Sequence, residues 1–285
     1  MIQCPTPSWP ATSAFSFRYF CKKLSYQPSA DSKGLSRFFG GARGYVVNAC
    51  TIPGVETPGF AVVIPALNEE ARIGACLVSI GSEAAEVFVV DGGSSDDTVA
   101  RAEDIAGVRV LSCPPGRGGQ LAHGAQATSA PRLLFLHADC RLPKGWSEAA
   151  GRALDDSEVA LAYFRLHTEP SDPAAGRLAQ GWLRLIDLRS FGFGLPYGDQ
   201  AHAVRREVYD EAGGYPSIPL MEDVVFARSC RRLGRIQRLL LEVRTTGRRF
   251  ERRPVMNRLC TATFPLLFRL GISPWTLARW YQDVR

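Results

Sequence analysis

The chain has 285 residues, 46% of them hydrophobic, and a formal net charge of +6. That length and apolar content suffice for a full core, in one large domain or one domain with an appendage, and exclude a small disulfide scaffold. Its eight cysteines are scattered without a C-x-x-C pair, which argues against a zinc site and fits a reducing compartment.

The charge is unevenly placed. Residues 1–60 carry +4, residues 228–258 carry +9, and the remainder therefore sums to −7. A basic surface beside an acidic body suits a phosphorylated substrate or an anionic lipid surface, or it is a solvated arginine-rich face. Apart from Phe250, the basic stretch lacks interleaved aromatics that would stack bases, so nucleic acid is not an expected partner. No run of eighteen apolar residues occurs, and the apolar stretch 259–268 is interrupted by Pro265, which fits a surface-lying or core helix. Peripheral membrane contact is compatible with that pattern.

Residues 1–58 are rich in Ser, Pro, aromatic and basic residues and read as a separate extension, either a transit peptide or a disordered segment. The expected location is correspondingly cytoplasmic or organellar. From Phe60 the pattern becomes regular. A strand is expected over 60–64, then a helix capped by Asn68 with Ile73, Cys76, Leu77 and Ile80 on one face. A second strand ends at Asp91, Ser95 or Asp96 caps a helix to about Ala106, and a third strand spans 108–111. A helix over 116–129 and a strand ending near His137-Ala138-Asp139 complete a β-α-β-α-β-α-β succession. Such a succession implies an α/β fold with a parallel sheet and right-handed crossovers.

Beyond Pro143 the expected elements are a helix to about Asp155, a strand over 159–166 and a helix over 173–189. A Gly-rich segment over 191–200 precedes a strand over 202–204, helices over 206–212 and 221–233, and a strand over 236–243. Residues 254–285 read as helical with a break near Ser273-Pro274.

Adjacent parallel strands deliver their terminal side chains to one edge of a sheet, so the strands ending at Asp91 and Asp139 are expected to be neighbours and the two acids to face one pocket. That edge also collects Leu67-Asn68-Glu69, Gly116-Arg117-Gly118-Gly119-Gln120 and His137. Carboxylates can accept hydrogen bonds from a ribose or base, Arg117 can neutralise a diphosphate, and an Asp can hold Mg2+ or Mn2+ against phosphate oxygens. Together these are the parts of a nucleotide-diphosphate site.

Three segments, Val63-Ile64-Pro65-Ala66-Leu67-Asn68-Glu69-Glu70, Val89-Val90-Asp91-Gly92-Gly93-Ser94-Ser95-Asp96-Asp97-Thr98 and Glu222-Asp223, resemble the family 2 glycosyltransferases in order and spacing over residues 60–235. Leu136-His137-Ala138-Asp139, the segment 194–200 and Pro219-Leu220-Met221-Glu222-Asp223-Val224 further resemble the subgroup associated with arsenosugar biosynthesis gene clusters. The resemblance implies a GT-A fold, a Rossmann-like, mostly parallel sheet flanked by helices, over residues 59–250. A C-terminal helical segment, 251–285, would pack on that domain or a membrane surface.

It also implies an inverting hexosyltransferase that uses a UDP or GDP sugar as donor, Mg2+ or Mn2+ as cofactor and a hydroxyl of unknown identity as acceptor. Leu67, Glu69, Asp91, Arg117 and His137 would bind the donor nucleotide and Asp139 the metal. Asp223 would be the general base, with Glu222 beside it in a catalytic pair. Asp199, Gln200, Arg248 and Arg249 would contact sugar or acceptor. His137 stands where many relatives have an acid, and His adds no negative charge to a metal site. Two further readings stay open: transfer to a polyprenyl phosphate at a membrane surface, or a catalytically silent nucleotide-sugar-binding protein.

Overall fold

The first expected strand forms as β1, Phe60–Ala66. Its alternation explains why the whole run is apolar: Phe60, Val62 and Ile64 enter one buried cluster, while Ala61 and Val63 enter another on the opposite face. The structure, a computed structural model, describes residues 59–170, 195–247 and 254–282. After β1 come α1 (Glu70–Ile80), β2 (Glu86–Asp91), α2 (Thr98–Glu103), β3 (Val108–Ser112), α3 (Arg117–Gln126) and β4 (Arg132–Phe135). The second half comprises β5 (Cys140–Arg141), α4 (Trp146–Leu154), β6 (Val159–Glu169), β7 (His202–Arg205), α5 (Arg206–Glu211), α6 (Glu222–Leu233), β8 (Arg235–Thr246), α7 (Pro254–Arg269) and α8 (Pro274–Gln282). The expected extension over 1–58, the helix over 173–189, residues 191–194, and Arg248 and Arg249 lie outside the described residues.

The strands form one eight-stranded sheet in the order β3-β2-β1-β4-β7-β6-β8-β5. Strands β3, β2, β1 and β4 are mutually parallel, as the alternating succession predicts. Strand β7 is antiparallel to both β4 and β6, which makes β6, and β8 paired in parallel with it, run the same way as β4. Six strands therefore end at one edge. Because β1 lies between β2 and β4, the strands that deliver Asp91 and Asp139 are separated by roughly 10 Å rather than adjacent.

Helices cover both faces. On one, Ile73, Cys76, Leu77 and Ile80 of α1 pack with Trp146 and Leu154 of α4, and the buried Trp146 donates its indole N–H to the Ile80 carbonyl at 3.1 Å. On the other, α3 lies close enough that a Cβ on Gly124 would meet Val63 Cγ1 at 2.4 Å, so glycine sets that approach. An aromatic group locks α6 to β4 on the same face. Tyr215 stands between Phe135 and Phe226, with ring centroids 4.8 and 4.3 Å away.

Two local expectations are corrected and one strand is added. Asn68 does not cap α1: it adopts a left-handed φ of 55°, and Glu69 directly precedes the helix. The Glu70 N–H instead donates to Asp96 Oδ2 at 3.2 Å, so the cap comes from the neighbouring loop. Strand β8 reaches Thr246, three residues beyond the expected end, because its pairing with β6 continues through residues that alternate charged and polar. Strand β5, two residues paired with β8, was too short to show in the sequence pattern.

Candidate functional site

The loops after β1 and β2 are stitched to each other before they touch any ligand. Asn68 donates its N–H to Ser94 Oγ at 2.9 Å and accepts the Ser95 N–H on Oδ1 at 2.8 Å. The Glu69 N–H donates to Thr98 Oγ1 at 2.7 Å. Asp91, only 5% exposed, accepts from the N–H groups of Gly93 and Ser94, so its carboxylate shapes its own turn. Below them the buried Gln120 donates from Nε2 to the carbonyls of Ala66 and Val90, at 2.9 and 2.7 Å, and ties the ends of β1 and β2 together.

A cavity of about 160 Å³ opens at the same edge, over the ends of β4, β6 and β8. Glu69, Arg117, His137 and Asp139 line its sheet side, and Thr168, Thr245 and Thr246 supply the ends of β6 and β8. Tyr197 and Asp199, from the segment before β7, and Leu220, Met221 and Asp223, at the start of α6, complete the lining. Cys260, Phe264 and Pro265 of α7, with Tyr281 of α8, close it from above. The cavity is a junction between the parallel half of the sheet and the C-terminal helices.

Two acids enter through an unusual turn. Met221 has a left-handed φ of 67°, a conformation that side-chain-bearing residues rarely adopt and that tends to persist at functional sites. The turn starts α6 with Glu222 and Asp223, 1% and 7% exposed. Asp223 Oδ2 accepts the Gly198 N–H at 2.8 Å, and Oδ1 accepts the Val224 N–H at 2.7 Å. A Cβ on Gly198 would lie 2.7 Å from His137 Nε2 and 3.4 Å from Asp223 Oδ2, so only glycine fits between the two. Glu222 forms an ion pair with Arg117, the first residue of α3. Burial, the largest influence on Arg117, works against its charge, but Glu222 and Asp223 outweigh it and hold the guanidinium above its ordinary value. The second Glu222 oxygen, Oε2, has no hydrogen-bond partner among the described residues.

One imidazole, one carboxylate and one thiol converge beside this pair. The ligating atoms of His137, Asp139 and Cys140 lie within 4.8 Å of one another. Burial, reinforced by Asp139 and Asp199, pushes the Cys140 thiol well above its ordinary value, which keeps the sulfur protonated and a weak ligand. His137 and Asp139 then remain as donors. A nitrogen and a carboxylate facing an open cavity fit a hard divalent cation that completes its shell with phosphate oxygens and water.

The expected site residues thus divide. Glu69, Arg117, His137, Asp139, Asp199 and Asp223 line one cavity. Glu222 stands behind it, holding Arg117. Leu67 is 41% exposed and Asp91 is turned into its loop, and neither lines the cavity. Gln200 is buried, accepting the Tyr197 N–H at 3.0 Å, and it shapes the 3-10 turn Gly198–Gln200 that carries Asp199. Buried His202 pairs through Nδ1 with the Tyr215 hydroxyl at 2.8 Å, and burial lowers its pKa to about 4 despite Asp223 and Asp199. Sequence reasoning placed Gln120 at this edge without its tie between β1 and β2, and it missed the three threonines and the aromatic lid. The Thr245-Thr246-Gly247 ending of a strand was the available signal for the threonines; nothing local marks Phe264 or Tyr281 as cavity residues.

Comparison with known proteins gives this geometry a context. Residues 61–213 match the family described as Glycosyl transferase family 2. The glucosyl-3-phosphoglycerate synthase of Mycobacterium tuberculosis is 31% identical over 146 residues, 45% of each chain. A PGL/p-HBAD biosynthesis glycosyltransferase of Mycobacterium bovis is 30% identical over 175 residues, 56% of this chain and 64% of that one. The chain thus spans only 45% to 64% of the length of these relatives. The crystal structure of the M. tuberculosis synthase with Mn2+, UDP-glucose and glycerol 3-phosphate superposes with a TM-score of 0.50 at 26% identity, over 72% of this chain and 79% of that one. Staphylococcus aureus TarS shares the fold, with a TM-score of 0.50 at 18% identity over 71% of this chain and 64% of that one. Structural neighbours of this kind place the α/β sheet in the GT-A class. With more than half its length matched, the chain belongs to the glycosyl transferase family 2.

Proposed function

We propose that the chain is an inverting glycosyltransferase that moves a sugar from a nucleotide-diphosphate donor to an acceptor hydroxyl, with Asp223 as general base. The observation that carries this reading is the single cavity that brings Asp139, His137 and Arg117 together with Asp223. The M. tuberculosis synthase, crystallised with Mn2+ and UDP-glucose, supports a UDP sugar as donor. Within the family, the segments around His137, Asp199 and Asp223 favour the subgroup associated with arsenosugar gene clusters.

In this reading Glu69 and the stitched loops that carry Leu67 and Asp91 receive the nucleoside. His137 and Asp139 hold the Mg2+ or Mn2+, which supplies positive charge against the diphosphate. Arg117, kept charged and aimed by Glu222, adds a second positive group near the leaving diphosphate. Asp223 is held by two backbone N–H groups, which fix its oxygens where an acceptor hydroxyl can deliver its proton as oxygen attacks the anomeric carbon. Inversion follows from attack opposite the leaving group. Asp199, in the same cavity, is placed to accept from sugar or acceptor hydroxyls.

Calorimetric titration with UDP, with and without Mn2+, tests the donor half. Asp139→Ala should weaken Mn2+-dependent UDP binding by on the order of 100-fold. Undiminished Mn2+ dependence in that variant would move the metal elsewhere.

A further inference from the structure

A second cavity adjoins the first and shares Tyr197 and Pro265 with it. It is the larger of the two, at about 510 Å³, and the rest of its lining is Leu195, Val224 and three arginines, Arg228, Arg231 and Arg269. We propose that this cavity anchors the acceptor, and that the acceptor is a phosphate-bearing molecule with an apolar body whose phosphate sits among these arginines. The proposal rests on the reading of the first cavity as the donor and base site.

The arrangement along α6 is the first argument. Val224, Arg228 and Arg231 recur at i, i+4 and i+7, so they form one stripe on the helix that begins with Glu222 and Asp223. At a rise of about 1.5 Å per residue, Arg228 lies roughly 7.5 Å and Arg231 roughly 12 Å along the axis from Asp223. One helix thereby presents a proton acceptor at its start and an anion anchor one to two turns later. Tyr197 and Pro265 line both cavities, so the two abut at these side chains, and the proposed acceptor reaches across them.

Charge is the second argument. Arg117, Arg132, Arg235 and Arg244 each have a carboxylate within ion-pair distance, whereas among the described residues Arg228, Arg231 and Arg269 have none. Three uncompensated guanidinium groups around one concavity repel each other and favour an anion between them. The Arg228 guanidinium lies 5.6 Å from the centroid of the Phe268 ring. Stacking on a ring orients the planar group and leaves its N–H edges available for a forked contact with phosphate. The apolar floor of Leu195, Val224 and Pro265 is the third argument, since a free inorganic anion would gain nothing from it, while a carbon skeleton attached to the phosphate would.

The test uses the full chain saturated with UDP and Mn2+, so that the donor's diphosphate position is filled, and titrates it with hexyl phosphate. Wild type should bind, and Arg228→Gln/Arg231→Gln should bind at least about tenfold more weakly. Arg279→Gln, an exposed arginine on α8 outside the cavity, should retain wild-type affinity. No loss in the double variant, or an equal loss in Arg279→Gln, would overturn the proposal. Glycerol 3-phosphate, which lacks an apolar body, should bind more weakly than hexyl phosphate by about tenfold or more, and comparable binding would overturn the apolar half of the proposal. Arg228- and Arg231-dependent recruitment to phosphatidylglycerol vesicles alongside hexyl phosphate binding assigns a lipid acceptor, and hexyl phosphate binding without recruitment assigns a soluble one. Vesicle recruitment without hexyl phosphate binding would overturn the cavity in favour of a flat membrane face. Failure of wild type to bind UDP at all is a separate result, and it would remove the donor reading instead.

Discussion

The sheet side of the cavity and its helical lid are held by different forces. On the sheet side, polar side chains bind backbone: Asn68 and Thr98 join two loops, Gln120 ties β1 to β2, and Asp91 closes its own turn. Across the cavity, Met221 and Val224 pack against Cys260, Phe264 and Leu277, an apolar cluster that joins α6 to α7 and α8. Directional bonds fix positions to a fraction of an ångström and tolerate few substitutes. Apolar packing accepts many sequences of similar volume. Under the proposed function, the polar side would keep the donor fixed while the packed side could vary with the acceptor.

Breaking the polar half should show the larger effect. Gln120→Leu removes both amide donations and leaves the Ala66 and Val90 carbonyls without that partner in a buried setting. The expected cost is about 3 kcal/mol, read as a lowered denaturation midpoint in urea, with UDP affinity falling in parallel. A cost below about 1 kcal/mol would show that the loops are held by something other than these bonds.

A smaller effect tests the layer that joins the halves. Buried His202, with its pKa lowered from 6.5 to about 4, stays neutral when folded, while the unfolded chain binds its proton below pH 6.5. The unfolded state thus holds more protons between those values, so this group's contribution to stability falls as pH falls. The loss reaches about 2 kcal/mol by pH 5. His202→Gln should flatten the pH dependence of stability between 6.5 and 5, and an unchanged slope would assign the acid sensitivity to other groups.

The same contrast decides what could be read from the sequence. The central parallel strands were legible because burial on both faces makes them near-continuous apolar runs, as in 60–64, while the edge strand β3 showed as a short apolar stretch interrupted by Arg109. Asp139 and Arg117 were legible because strand ends and a helix start place them at one edge, whereas Asp223 was found through the resemblance of Glu222-Asp223 to the family's motif. Strand order was not, since no local pattern says that β1 separates β2 from β4. The cap on α1 was misassigned because Asp96, the residue that supplies it, is 26 positions away. Phe264 and Tyr281 looked like ordinary core residues, and only the packing of α7 and α8 makes them the lid.

The central claim is that Asp223 takes the acceptor's proton beside an independently held donor. It is tested most directly by comparing wild type with Asp223→Asn in two assays. One is UDP binding in Mn2+, and the other is the turnover of whichever member of a UDP- and GDP-sugar panel the wild type hydrolyses fastest. Equal UDP affinity with turnover reduced by about a thousandfold is the predicted result. Undiminished turnover in Asp223→Asn, or a wild-type chain that turns over no sugar in the panel, would contradict it.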